Sequence, residues 1–177
     1  MKELCYSALD VAAIVSGMDL GCQEESRLVE KIWDTEKVFI EMQYRSNKRK
    51  FILDVCYWMH YFYENPILDR EFPAIQKTLE GSNYGVCAES YMNDFLDLDL
   101  FFKSVRIKIV YGDGKDYVRI KLRTLLKEYG YQRRSNILMQ HIERCMLFYH
   151  LEATLRGGIE CDMNEIGLDN MVVFRVV

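Results

Sequence analysis

A histidine and a cysteine one helical turn apart, His141 and Cys145, are the residues whose types and spacing best suit chemistry. Side chains at positions i and i+4 of a helix lie on one face, so this pair could hold a zinc ion, with Cys161 as a third ligand. The same pair could also form a thiol nucleophile with its base. A core cysteine beside a half-buried histidine explains the spacing more simply. The sequence therefore predicts neither a bound metal nor a catalytic residue at this position.

Three neighbouring carboxylates, Asp94, Asp97 and Asp99, form the second chemical candidate. Such a group could bind Mg²⁺ in a nuclease, with the nearby Lys103 as a cationic assistant. The spacing lacks the glycine and the closing glutamate of an EF-hand loop. The chain has only three histidines and no phosphate-binding, nucleophile-elbow or zinc-protease motif. We therefore expect a non-catalytic protein without a cofactor, and a metal-dependent nuclease is kept as an alternative.

Charge is unevenly distributed along the chain. The 177 residues have a formal net charge of −4, but residues 103–134 hold ten Lys and Arg against three Asp and Glu. The first 102 residues are acidic, with a net charge of −8. A basic segment of this density is typical of proteins that bind a polyanion such as nucleic acid. The acidic half could instead imitate nucleic acid on the surface of a partner protein.

The elements that would position the cations are predicted from the alternation of apolar and charged residues. Apolar side chains alternate with cations over 105–111 and 118–123, with a glycine-rich turn between the two runs. This pattern predicts a β-hairpin with an outward face of Arg106, Lys108, Arg119, Lys121 and Arg123. Cations would then face cations across the strands, which is destabilising unless an anion binds. A nucleic-acid backbone is the leading explanation; an acidic partner protein, an acidic cover from residues 89–99 and protection of a sheet edge are alternatives.

The elements after this hairpin resemble the later part of a winged helix-turn-helix in their order. A short helix is predicted over 123–129, a helix over 136–151 that begins at Ser135, and closing strands over 159–161 and 171–176. In that resemblance the helix 136–151 enters a nucleic-acid groove. Its candidates for base or partner contacts are Asn136, Gln140 and Arg144, and Arg133 and Arg134 before it could bind phosphate.

The first half of the chain is predicted to hold helices and a second hairpin. A capping box of Ser7 and Asp10 opens a first helix, and residues 24–34 follow as a second. Alternation over 38–45 predicts a strand. The apolar residues over 51–59 predict a second strand paired with it, and a buried helix would have the same pattern. The glycines around 81–85 suggest a boundary between an N-terminal lobe, 1–81, and a C-terminal lobe, 86–177. The predicted fold class is α+β, with a basic β-hairpin and a winged helix-turn-helix-like order in the second lobe.

These observations favour a small cytoplasmic regulator that binds nucleic acid or a nucleic-acid-handling complex. The alternative is a protein-interaction module or inhibitor that blocks a larger nucleic-acid enzyme, such as a nuclease, as inhibitors of the phage or mobile-element type do. The dense aromatics over 57–63 suit such an interface, because tyrosine and tryptophan dominate binding hot spots. No apolar run is long enough to cross a membrane. The sequence is also compatible with a homodimer.

Overall fold

The computed structural model describes residues 4–64 and 96–177, and the chain divides into two compact units, Met1–Gly81 and Ser82–Val177. Across the described residues the fold is α+β, with helices in both units and a small three-stranded antiparallel sheet in the second. This bears out the predicted class. None of the described helices has a stretch long and apolar enough to cross a membrane.

The first two helices of the N-terminal unit lie where the sequence predicts, although the second begins two residues before the predicted range of 24–34. Helix α1 spans Ala8–Ser16, and its capping box is confirmed: Asp10 N donates to Ser7 Oγ at 3.0 Å and Ser7 N donates to the Asp10 carboxylate at 2.8 Å. Helix α2 spans Cys22–Thr35 and buries a stripe that includes Leu28 and Ile32. The stripe has the helical period of 3.6, which is why the prediction succeeds.

The predicted hairpin in this unit is wrong. Residues 37–39 form a 3-10 turn, α3 spans Met42–Arg45, and α4 spans Lys48–Glu64. Asn47 starts α4, because its side-chain oxygen accepts from Lys50 N at 3.0 Å. The buried side chains Phe51, Val55 and Trp58 then recur at helical spacing, and α4 packs against α1. Burial along one helical face therefore overrides the apparent period of two.

The predicted basic hairpin of the C-terminal unit is also wrong in its first strand. Residues 105–111 belong to helix α5, which spans Leu96–Tyr111. Leu98, Phe102 and Val105 are fully or almost fully buried at positions i, i+4 and i+7 of this helix. Arg106 and Lys108 therefore point in directions about 200° apart around α5 and do not share a strand face.

The second predicted strand exists, but its partner comes from the far end of the chain. Strand β1 spans Val118–Lys121, β2 spans Leu151–Thr154 and β3 spans Met171–Val176, in the order β1-β3-β2. Ile120 pairs with Val172, and Ala153 pairs with Phe174. The Phe174 ring lies 5.6 Å, centroid to centroid, from Phe102, so α5 covers the inner sheet face. The outer face is left with the charged residues of β1 and β3.

Two helices connect β1 to β2. Helix α6 spans Leu122–Glu128 and α7 spans Asn136–Phe148, with Ser135 Oγ accepting from Leu138 N as the predicted N-cap. The predicted inner face of α7 is confirmed, because Leu138, Ile142, Cys145 and Tyr149 are all buried. The helix ends three residues earlier than predicted, since His150 has a φ of +52° and the chain enters β2. The predicted strand 159–161 is reduced to one bridge, between Thr154 and Glu160.

Candidate functional site

The exposed face of α7 carries the three polar residues predicted to make base or partner contacts. Asn136, Gln140 and Arg144 recur every four residues and are all exposed, on the side of α7 opposite its buried face. The exposed Arg133 lies just before the helix begins. Asn136, Gln140 and Arg144 form one polar stripe along the helix. Together with Arg133, which precedes the positive end of the helix dipole, they are defined here as the α7 surface.

An acidic residue on α7 is engaged by the loop between β2 and β3. Asn164 Nδ2 donates to Glu143 Oε1 at 2.9 Å, so a neutral amide partly satisfies this carboxylate. Glu143 is the residue of α7 whose charge would repel nucleic acid most directly. Two large apolar residues are also exposed on this helix, Ile137 at 70% and Leu147 at 80%.

Two predicted phosphate ligands lie on α5 instead of on a strand. The Arg106 guanidinium donates to the backbone oxygen of Tyr149 at 2.8 Å, just past the last residue of α7. This contact places a cation at the negative end of the α7 dipole. Lys108 is half-buried, and burial lowers the pKa of its ammonium group. Arg106 is therefore held at the opposite end of α7 from Arg133 and Asn136.

Two further predicted cations are held by the loop before β3. Arg134 Nη1 contacts the backbone oxygens of Met163, Asn164 and Ile166 at 2.8–2.9 Å. Arg123 makes a bidentate ion pair with Asp169, with N···O distances of 2.8 and 2.9 Å. That hydrogen-bonded contact raises the pKa of Arg123 and lowers that of Asp169. Both guanidinium groups already have hydrogen-bond partners within the chain. They therefore contribute less to the binding of an external ligand than the number of basic residues in this segment suggests.

The remaining two predicted cations, Arg119 and Lys121, lie on the outer face of the sheet. Arg119 pairs in register with Val173, beside a cavity of about 810 Å³. We name this cavity the sheet pocket; its lining is Tyr117, Arg119, Leu155, Arg156, Gly157, Gly158, Met171, Val173 and Arg175. Arg156 and Arg175 are not among the cations predicted from the sequence. The signal for Arg175 was its alternation with the buried Phe174 along β3, which places it on the outer face.

The His141–Cys145 pair lies under the α7 surface and contacts a third chemical residue, Asp99 of α5. His141 Nε2 contacts Asp99 Oδ1, and Cys145 Sγ lies 3.4 Å from that oxygen and 3.6 Å from His141 Nε2. All three side chains are buried, and their potential ligand atoms lie within 4.8 Å of one another. Asp99 is 42 residues from His141, so no local pattern could have joined them.

The chemistry of this buried cluster favours structure over catalysis. Burial, with the Asp99 carboxylate as a second cause, raises the pKa of the Cys145 thiol far above its ordinary value. A thiol kept neutral in this way is a poor nucleophile. Cys161, the expected third zinc ligand, lies in the loop between β2 and β3 and is half-exposed, outside the cluster. What the cluster does is join α5 to α7 by polar contacts through the core.

The carboxylate group expected for a nuclease is only partly within the described structure. Asp99 is 1% exposed and faces His141, so its carboxylate does not reach a bulky substrate at the surface. Asp94 and the rest of the expected acidic cover, 89–95, lie outside the described residues, as does the side chain of Asp97.

No protein-family model matches the chain, and neither the curated proteins nor the solved structures that were searched contain a match.

Proposed function

We propose that the C-terminal unit is a winged-helix module that binds duplex nucleic acid through the α7 surface. Its support begins with the order of elements: β1, α6, a turn, α7, β2 and β3 follow one another as strand, helix, turn, helix, strand and strand. That is the order of winged helix-turn-helix modules, in which the second helix of the turn enters the major groove. In this unit the second helix is α7.

The observation that carries the proposal is the composition of the α7 surface. Asparagine and glutamine can make two hydrogen bonds to adenine, and arginine can make two to guanine, at the edges that the major groove exposes. Successive members of the stripe are four residues apart and rise by about 6 Å along the helix axis. Asn136 and Arg144 are therefore separated by about 12 Å, which matches three to four base pairs at about 3.4 Å each.

Arg133 supplies a phosphate contact at the beginning of the same helix. The first turn of a helix presents backbone N–H groups and a partial positive charge, both of which favour a phosphate. Arg144 contacts a base edge in this arrangement, so Arg133 is the one cation of the α7 surface left for phosphate and about one phosphate would be neutralised. The affinity should then fall about three- to fourfold between 50 and 200 mM salt, a shallower dependence than the full basic segment would give.

The test uses the full chain and a selected duplex. A fluorescent duplex of about 20 base pairs, enriched from random sequence by binding to the protein, is titrated in an anisotropy assay. Asn136→Ala or Gln140→Ala should weaken binding by about 10- to 100-fold and relax the preference at one base pair, since a bidentate contact contributes about 1–3 kcal/mol. Arg133→Gln should weaken binding to duplexes of every sequence by the same factor, since a phosphate contact does not read the bases.

Lys127→Gln is the matched control, because Lys127 is an exposed cation of α6 outside the α7 surface. Its affinity for the duplex should remain close to that of the unaltered chain. The proposal fails if selection enriches no sequence, or if Asn136→Ala and Lys127→Gln have equal effects.

A second candidate function is supported by Ile137 and Leu147. Large apolar side chains with 70% and 80% exposure on one helix suit a partner protein better than a groove of charged phosphates. Under this function α7 would bind a component of a nucleic-acid-handling complex. The duplex selection with the unaltered chain separates the two, because partner binding predicts that no duplex is enriched. Nucleic-acid binding predicts an enriched duplex, whose affinity the variant Ile137→Ser with Leu147→Ser changes by less than about threefold.

A further inference from the structure

We propose that the sheet pocket is an anion site that binds a di- or triphosphate group, either free or carried by a nucleoside. The inference is independent of what α7 binds, because the pocket is built on the outer face of the sheet from β1, β3 and the turn after β2. Its volume of about 810 Å³ lies within the usual range for small-molecule sites. The turn at Gly157 and Gly158 bounds the pocket on one side, which suits a compact ligand better than a long nucleic-acid strand.

The charge of the sheet pocket is the first argument. Three arginines line it, and no aspartate or glutamate does. Arg119 pairs with Val173, and Arg175 is two residues further along β3, so the two arginines are diagonal neighbours on one sheet face. Side chains in this relation reach one another, and like charges there repel. A bound polyanion relieves that repulsion and gains three charge-assisted contacts.

Two described cations outside the pocket have carboxylate partners. Lys48 contacts Asp34 at 2.9 Å, and Arg123 pairs with Asp169. Within the described residues, no carboxylate lies at ion-pair distance from Arg119 or Arg156. Glu152 is opposite Arg175 in the register, on the side away from Arg119, and the two do not form an ion pair. The pocket therefore keeps its positive charge for an external anion.

The geometry of the lining is the second argument. The Arg175 guanidinium lies 5.5 Å from the centroid of the Tyr117 ring, a cation–π contact that orients its planar fork. Such a fork matches two phosphate oxygens. Gly157 and Gly158 have φ values of +88° and +78°, and an added Cβ would meet nothing within 4 Å at either position. The rim is thus open, and its backbone conformation is one that other residues adopt only with strain.

Isothermal titration of the full chain at about 50 mM salt tests the proposal, with ATP and inorganic triphosphate as separate probes. We expect a saturable site, with Arg119→Gln and Arg156→Gln each lowering ATP affinity about tenfold or more, as loss of a charge-assisted contact does. Lys127→Gln, with the same loss of charge, should bind ATP normally. Equal affinity for triphosphate and ATP would show that only the phosphates are recognised. Tighter binding of ATP would show that the nucleoside is contacted as well.

Three results would overturn the proposal. The first is no heat of binding at about millimolar ATP, and the second is equal affinity of the arginine variants and Lys127→Gln. The third is that Arg119→Gln and Arg156→Gln weaken only duplex binding, which would make the pocket part of a nucleic-acid interface. Because these side chains lie at the surface, thermal unfolding should be little changed and will show that the variants are folded. Asn136→Ala should leave ATP binding intact, so failure of the α7 proposal remains distinguishable.

Discussion

The buried contact between Asp99 and His141 should be the most sensitive polar interaction in the C-terminal unit. Asp99 is 1% exposed and His141 is 9% exposed. When one of the two side chains is removed, the other therefore cannot replace the lost contact with a hydrogen bond to bulk water. Breaking one side of such a pair costs about 3–5 kcal/mol, because a buried polar group loses its compensation. We expect His141→Leu to lower the free energy of unfolding by about 3 kcal/mol, equivalent to about 12–24 °C in a unit of this size.

The double replacement Asp99→Leu with His141→Leu provides the decisive comparison. Replacing both partners by apolar side chains leaves neither group uncompensated, so the double variant should be more stable than the sum of the single changes predicts. Urea unfolding followed by circular dichroism measures each free energy, with Gln140→Leu on the exposed face of α7 as the surface control. Strict additivity, or a cost below about 1 kcal/mol for His141→Leu, would refute the reasoning.

Three further expectations concern stability and reactivity. Ser7→Ala should cost about 1 kcal/mol in thermal unfolding, because it removes the N-cap of α1; an unchanged midpoint would contradict this. Arg134→Met removes the cation and its contacts to three backbone oxygens while keeping an unbranched side chain, so we expect a loss of about 2 kcal/mol and faster amide exchange in the β2–β3 loop. In alkylation at about pH 8 followed by mass spectrometry, the exposed Cys22 and Cys56 should react first, since burial keeps Cys145 protonated; equal rates would show that the core opens.

Local signals in the sequence identify the helices that begin with a cap or have one clear apolar stripe. In α7, the Ser135 cap and the spacing of the buried residues indicate the same helix, and in α1 the capping box and the apolar residues do so too. A helix cap and an apolar period of 3.6 residues involve only a few consecutive residues, so both can be recognised without knowing how the rest of the chain folds. The polar stripe of α7 follows from the same period and was therefore predictable as well.

The two hairpin predictions failed for different reasons: α4 is buried along one helical face, whereas α5 is buried on most sides, and alternating β-branched residues also fit such a helix. In 105–111, Val105 and Ile107 are both buried in α5, although they lie about 200° apart. Only the strands and helices packed around α5 decide between the two structures. Likewise, Asp99 meets His141 across 42 residues and Arg123 meets Asp169 across 46, and one sequence contains no signal for such pairs.

The loop between β2 and β3 has a mechanical role that follows from the contacts of Arg134. Its first residues, Leu155–Gly158, form the rim of the sheet pocket, and its middle is held against α7 by the Arg134 guanidinium and by the hydrogen bond from Asn164 to Glu143. These two contacts connect the pocket loop directly to α7. Any influence of an occupied pocket on the affinity of α7 must be matched, by the same factor, by an influence of occupied α7 on the pocket.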